Sequence, residues 1–196
     1  MKEIIRCGWC KGDALYEKYH DEEWGKPVYD DATLFEFLLL ETFQAGLSWI
    51  TILRKRENFR LAFDNFDYKK IAKYGDDKTA ELLEDAGIIR NRLKVAAAVS
   101  NAQAFMKVQE EFGTFSKYYW NFTGGKPIDN KSTSLSQVPA TTPLSDAISK
   151  DMKKRGFKFV GSTVIYANMQ ATGMVNDHIV ECSYRQSLDL RIQISD

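Results

Sequence analysis

The chain has 196 residues, 44% of them hydrophobic, with 27 basic and 27 acidic side chains and no net charge. That is enough apolar material for one substantial domain, or for two small helical lobes sharing a cleft. No apolar run reaches about 18 residues and no basic-then-apolar leader opens the chain, which argues against membrane insertion and export. Three cysteines, an odd number, argue against a disulfide framework and for a reduced, cytoplasmic protein.

Taken in order, the first residues with distinctive chemistry are Cys7, Cys10 and His20. The only other members of those two residue types are His178 and Cys182, near the far end. Two soft thiolates and two imidazoles are what tetrahedral zinc prefers, so this distribution predicts a metal staple between the two ends. A closed set of four protein ligands leaves no position for water, which makes the site structural and puts the chemistry elsewhere. The spacing of His178 and Cys182 predicts that they share one helical face. Residue types leave the ligand set open, because Cys7 and Cys10 form a C-x-x-C that can give a three-thiolate site with either histidine. The competing reading makes each of the five a buried core residue.

Asp30, Asp31 and Thr33 offer N-caps to a helix carrying Leu34, Phe35, Leu38, Leu39 and Thr42 and ending near Gly46. Glu41 follows four apolar residues on that helix. It is either a pocket group or the partner of a nearby arginine. Trp9, Tyr16, Tyr19, Trp24, Phe43 and Trp49 gather in the same quarter of the chain. Aromatic walls and one carboxylate suit a flat cationic heterocycle, such as a nucleobase flipped from a duplex, although part of this aromatic set serves packing. Residues 44–47 adjoin the pocket and can supply the wedge that fills the gap.

Further helices are expected over 48–56, after Asp67, and over 78–86, where Asp76 or Asp77 caps and Gly87 stops. Ile88, Ile89 and Arg90 lead at once into a long helix to Phe112, beginning near Asn91. Two helices joined so tightly offer a phosphate the unpaired N–H groups and positive dipole of the second, with Arg90, Arg92 and Lys94 adding charge. Other basic clusters occur at Arg54, Lys55, Arg56 and Arg60 and at Lys150, Lys153, Lys154, Arg155 and Lys158. They line a cleft or are ordinary solvated faces. Helices over 115–122, 145–155 and 161–172 complete the pattern. Residues 124–143, rich in Gly, Pro, Ser and Thr, read as a long loop that either crosses between lobes or lies over the surface as a strap.

The segments RCGW (6–9), YHDEEWG (19–25), LFEFLLLETFQAGLSWITILRKRENFR (34–60), AGIIRNRLK (86–94) and KKRGFKFVGSTVIYANMQATGMVNDH (153–178) resemble the 3-methyladenine DNA glycosylase I family. The resemblance covers residues 6–182. It implies an all-α, helix-hairpin-helix DNA glycosylase fold: one domain over 1–187 and a C-terminal extension over 188–196. It also implies structural zinc on Cys7, His20, His178 and Cys182. The implied base pocket is Trp9, Tyr16, Tyr19, Glu41 and Trp49, with the DNA-distorting turn at Gly46 and Leu47.

The implied reaction is hydrolysis of the N-glycosidic bond of 3-methyladenine in double-stranded DNA, by a monomer, with Glu41 reading the base and carrying any catalytic role. The aspartate that the wider superfamily places after the hairpin is missing from residues 101–123. Asn91 and Arg92 stand where bifunctional members carry a Schiff-base lysine, so strand cleavage is not expected. The alternative is a zinc-stapled helical DNA-binding module without catalysis.

Overall fold

The computed structural model describes residues 3–185. Its helices are α1 (Ala14–Glu22), α2 (Asp31–Gln44), α3 (Trp49–Ala62), α4 (Tyr68–Ile71), α5 (Asp76–Glu84), α6 (Arg92–Phe112), α7 (Phe115–Asn121), α8 (Pro143–Lys154) and α9 (Ser162–Ala171). Most begin on a side-chain cap. Asp13, Asp30, Asp67, Asn91, Thr114 and Thr142 each accept from backbone N–H groups of the first turn that have no helical partner. Helix α5 departs from expectation: its N-cap is Gly75, and Asp76 and Asp77 sit inside the first turn, where their charge favours the positive end of the helix dipole.

The expectation of an all-α chain is corrected in one place. The strap over 124–143 contributes a two-residue strand, β1 (Ile128–Asp129), which pairs in parallel with β2 (Val175–Asn176). A chain lying against the protein must satisfy its own N–H and C=O groups, and this pairing does so directly before His178. The fold is mostly helical. The extension expected over 188–196 lies outside the described residues.

Helix α2 is the axis of the core. Every residue from Leu34 to Phe43 is buried, because α3, α6, α7 and α9 pack around it. A helix enclosed on all sides is apolar all round rather than on one stripe, as the sequence of α2 is. Glu41 is therefore buried by its neighbours.

Most of the first basic cluster is spent on ion pairs within the chain, Arg56 largely covered and Arg54 at the exposed surface. Arg56 pairs with Glu23 at 2.7 Å and Glu36 at 2.8 Å, Arg60 with Glu36 at 2.8 Å, and Arg54 with Asp13 at 2.6 Å. Lys55 donates to the carbonyls of Ala86 and Gly87, fastening the turn between α5 and α6 onto α3. Gly87 permits that approach, since a Cβ there would lie 3.1 Å from Cβ of Asn58. These arginines form internal ties, not a free cationic wall.

Candidate metal centre and base pocket

The two ends of the chain meet where the sequence places the staple. The donor atoms of Cys7, His20, His178 and Cys182 all lie within 4.8 Å of one another, and all four residues are buried. Cys182 Sγ stands 3.5 Å from His20 Nε2 and 3.3 Å from His178 Nδ1, and Cys7 Sγ stands 3.7 Å from His178 Nδ1. A tetrahedral ion with metal–sulfur bonds near 2.3 Å and metal–nitrogen bonds near 2.0 Å separates neighbouring donors by about 3.5 Å, so these distances fit one. The remaining ring nitrogens are also committed, His20 Nδ1 to Asp21 at 2.8 Å and His178 Nε2 to the Trp24 carbonyl at 3.1 Å. Such partners fix ring orientation and leave the inward nitrogen free to ligate. Burial alone would raise the Asp21 pKa, but hydrogen bonds from Arg6 and His20 outweigh it and hold the carboxylate at about 2. The four residues can hold a metal ion.

Two expectations are settled differently. Cys10 lies outside the cluster, donating its thiol proton to the Cys7 carbonyl at 3.1 Å, which closes the C-x-x-C alternative. His178 and Cys182 do not share a helix. A turn, with Cys182 N–H on the Ile179 carbonyl at 2.8 Å, brings their side chains together. Nearby, Ser183 N–H donates to the Ile5 carbonyl, so backbone as well as side chains joins the ends.

Beside the cluster opens a pocket of about 200 Å³, and its lining includes Trp9, Tyr16, Tyr19, Trp24, Glu41 and Trp49. Pockets for drug-sized ligands run from roughly 300 Å³, so this one suits a single small heterocycle. The aromatic rings interlock, Trp9 lying 4.8 Å from Tyr16 and 4.9 Å from Trp24, and Tyr19 lying 5.5 Å from Trp49. Trp24 also touches His178 at 4.6 Å, so the metal cluster and the pocket share a wall. Phe43, grouped with this set by sequence, instead packs among Phe59 and Phe63 in the core.

Two polar atoms in the pocket have no partner among the described residues: Glu41 Oε2, an acceptor, and Trp49 Nε1, a donor. Leaving a buried polar group unpaired costs about 1–3 kcal/mol, so two in one aromatic pocket mark a surface shaped for a ligand. No arginine or lysine pairs with Glu41 among the described residues, and burial pushes its pKa up to about 8. Burial likewise raises Tyr16 and Tyr19, keeping both phenols neutral.

Sequence reasoning missed part of the lining. Leu135 and Val138 come from the strap, and Ala167, Gln170 and Asp177 from elsewhere in the chain, whereas Gln44 belongs to the segment expected beside the pocket. The Asp177 carboxylate is held by Asn130, Tyr166 and Gln170, each at 2.7–2.8 Å. Of the missed residues only Asp177 carried a signal, as the neighbour of the candidate ligand His178.

At the C-terminal end of α2, residues 44–47 form a tight turn with Gly46 at φ +81 and Leu47 41% exposed. Arg90 and Arg92 are exposed. The Asn91 side chain accepts from the N–H groups of Leu93 and Lys94, so the start of α6 offers fewer free donors than expected. Lys94 turns inward: its ammonium donates to the carbonyls of Phe43 and Ala45, and desolvation lowers its pKa. It is withdrawn from the phosphate-facing set.

The model of the methyladenine glycosylase family matches residues 9–186. The chain belongs to that family. It is 49% identical over 177 residues to DNA-3-methyladenine glycosylase 1 of Escherichia coli K12, covering 90% of this chain and 95% of the relative. It is 46% identical over 182 residues to DNA-3-methyladenine glycosylase of Haemophilus influenzae, covering 93% and 98%. A solved structure of 3-methyladenine DNA glycosylase I from Staphylococcus aureus, concerned with 3-methyladenine recognition, superposes with a TM-score of 0.90 at 34% identity and covers 94% and 98%. In this methyladenine glycosylase family chain Cys10 is a spare thiol. Cys10→Ser is expected to leave the metal content measured by mass spectrometry unchanged, whereas Cys182→Ser reduces it.

Proposed function

We propose that the chain is a monofunctional base-excision repair glycosylase that hydrolyses the N-glycosidic bond of 3-methyladenine in alkylated double-stranded DNA. The observation that carries this reading is the unpaired Glu41 oxygen at the wall of an aromatic pocket of single-base size. A methyl group at N3 gives the linked base a formal positive charge, so it departs readily as a neutral molecule and needs little protonation. The pocket's work is then selection. The faces of Trp9, Tyr16, Tyr19 and Trp49 attract a cationic ring, and Glu41 accepts from an exocyclic amine and neutralises the charge. An undamaged base offers no charge to repay the desolvation of that carboxylate.

Helices α5 and α6 supply the hairpin of a helix-hairpin-helix fold, with Arg90 and Arg92 on the DNA backbone. Leu47 enters the stack as the base leaves, and Gly46 lets the turn bend toward the duplex. We assign zinc to Cys7, His20, His178 and Cys182, where it supplies a cross-link between the two ends when bound. That link holds the segment bearing Trp9, Tyr16 and Tyr19 against a pocket built from later residues. The three unpaired thiols agree with a cytoplasmic, reduced setting, and the enzyme acts as a monomer. No helix among the described residues is long and apolar enough to cross a membrane.

Mass analysis of bases released from methylated duplex tests the proposal. Free 3-methyladenine without 7-methylguanine is the expected result, and an absence of free base would favour a pure binding module. Borohydride treatment during turnover is expected to trap no covalent complex, since Lys94 is committed to two carbonyls and Asn91 and Arg92 follow the hairpin. A trapped complex would overturn the monofunctional assignment.

A further inference from the structure

Sequence groups Lys94 with two exposed arginines, yet its ammonium is buried and donates to the Phe43 carbonyl at 2.7 Å and the Ala45 carbonyl at 2.6 Å. A lysine taken from water and set on two neutral oxygens is costly if it only fills space.

The two acceptors differ in kind. The Phe43 carbonyl belongs to the last turn of α2, where the helix dipole is negative and a cation is welcome. The Ala45 carbonyl belongs to the central peptide of the wedge turn. That turn closes through Leu47 N–H on the Gln44 carbonyl, with Ala45 at φ −44 and ψ 114 and Gly46 at φ +81. These are type II values, and types I and II differ by a flip of the central peptide. Lys94 holds one of the two orientations. The C=O and N–H of a trans peptide point in opposite directions, so with the carbonyl turned to Lys94 the Gly46 N–H points away from it.

We infer that Lys94 is a positioning residue that fixes the Ala45–Gly46 peptide, and with it Leu47, by tying the wedge turn to the first turn of α6. The inference rests on the reading of residues 44–47 as the segment that enters the duplex. Its consequence is mechanical. Arg92 and Lys94 are two residues apart on one helical turn, the first exposed and the second buried against α2. When the hairpin seats on the DNA backbone, Lys94 carries that placement directly to the wedge. The turn also precedes Trp49, so the wedge and the pocket wall keep one register.

The test uses the full, metal-loaded chain. Lys94→Met keeps the length of the side chain and removes the charge. Binding of free 3-methyladenine, followed by tryptophan fluorescence, and affinity for undamaged duplex are expected to stay within about twofold. Single-turnover excision from methylated duplex is expected to fall on the order of tenfold to a hundredfold, the usual cost of a small misplacement. Lys94→Arg, which keeps a cation and several donors, recovers part of the loss. Undiminished excision by Lys94→Met overturns the inference, as does a parallel loss of free-base binding, which marks a purely structural role.

Should Lys94→Met not fold, Gly46→Ala gives the same comparison with the core untouched. Its added Cβ meets no atom within 4 Å, so its cost is confined to the strained backbone, and full duplex excision by it also overturns the inference. Failure of the wild-type chain to release 3-methyladenine is a separate result, and it refutes the glycosylase reading instead.

Discussion

Removing the metal with a strong chelator is expected to lower the thermal midpoint by roughly 10–20 °C, the largest single effect on stability. A metal ion on Cys7, His20, His178 and Cys182 would tie residue 7 to residue 182 and so close nearly the whole chain into one loop. In the chain-entropy account a link across a loop of about 100 residues contributes about 4.7 kcal/mol, and one across a longer loop slightly more. That compares with a total stability of about 5–15 kcal/mol for an ordinary domain. For a protein of this size each kcal/mol moves the midpoint by about 2–4 °C. Cys182→Ser is expected to reproduce the shift, Cys10→Ser to leave it absent, and added zinc to restore the chelated wild type. Excision activity should follow the melting curve, because the link acts on the placement of Trp9, Tyr16 and Tyr19. Activity abolished by chelator with an unchanged melt would make the metal catalytic and sink this account.

The Cys and His cluster that can hold a metal was legible because cysteine and histidine are few in this chain and their confinement to two short stretches needs no knowledge of the fold. Glu41 was legible for a similar reason: an acid after four apolar residues has no solvated face to occupy, and α2 is enclosed on all sides. What escaped was set by contacts between distant segments. Leu135 and Val138 lie in a strap without periodicity, and nothing local announces that they line the pocket. Arg56 and Arg60 looked free because their partners, Glu23 and Glu36, are 20 or more residues away in sequence. Lys94 was misread because charge suggested solvent, while its position on the buried stripe with Val95, Ala98, Asn101 and Ala102 pointed inward. The spacing of His178 and Cys182 was right and its explanation was not, since a turn can bring residues four apart together as a helix does.

Glu41→Gln is expected to lower kcat/KM on methylated duplex on the order of tenfold to a hundredfold at pH 8 and above, the loss expected for a hydrogen bond to a charged group. Protonation gives this effect a pH signature. The Glu41 pKa rises from 4.5 to about 8 because burial disfavours the carboxylate. Below pH 8 the free enzyme therefore holds a proton that must leave before a cationic base is neutralised. Wild-type kcat/KM, which reports the free enzyme, is expected to climb about tenfold per pH unit toward pH 8 and then level. In the bound complex the base's own charge pulls the carboxyl pKa down, so kcat stays flat over that range. The Gln variant shows neither the climb nor the plateau, and the gap between the two proteins narrows as pH falls.

Stability runs the other way. With a folded pKa above the unfolded one, the protonated Glu41 contributes stability that is full below about pH 4.5 and lost as pH rises through 8. At alkaline pH the wild type carries a penalty on the order of 5 kcal/mol that Glu41→Gln removes, so the less active protein melts higher there. Wild-type kcat/KM that is flat from pH 6 to 8.5, together with full excision by Glu41→Gln, would strip this carboxylate of its role. A variant that is slower at every pH without gaining stability above pH 8 would instead mean that Glu41 is ionised and paired before any base arrives.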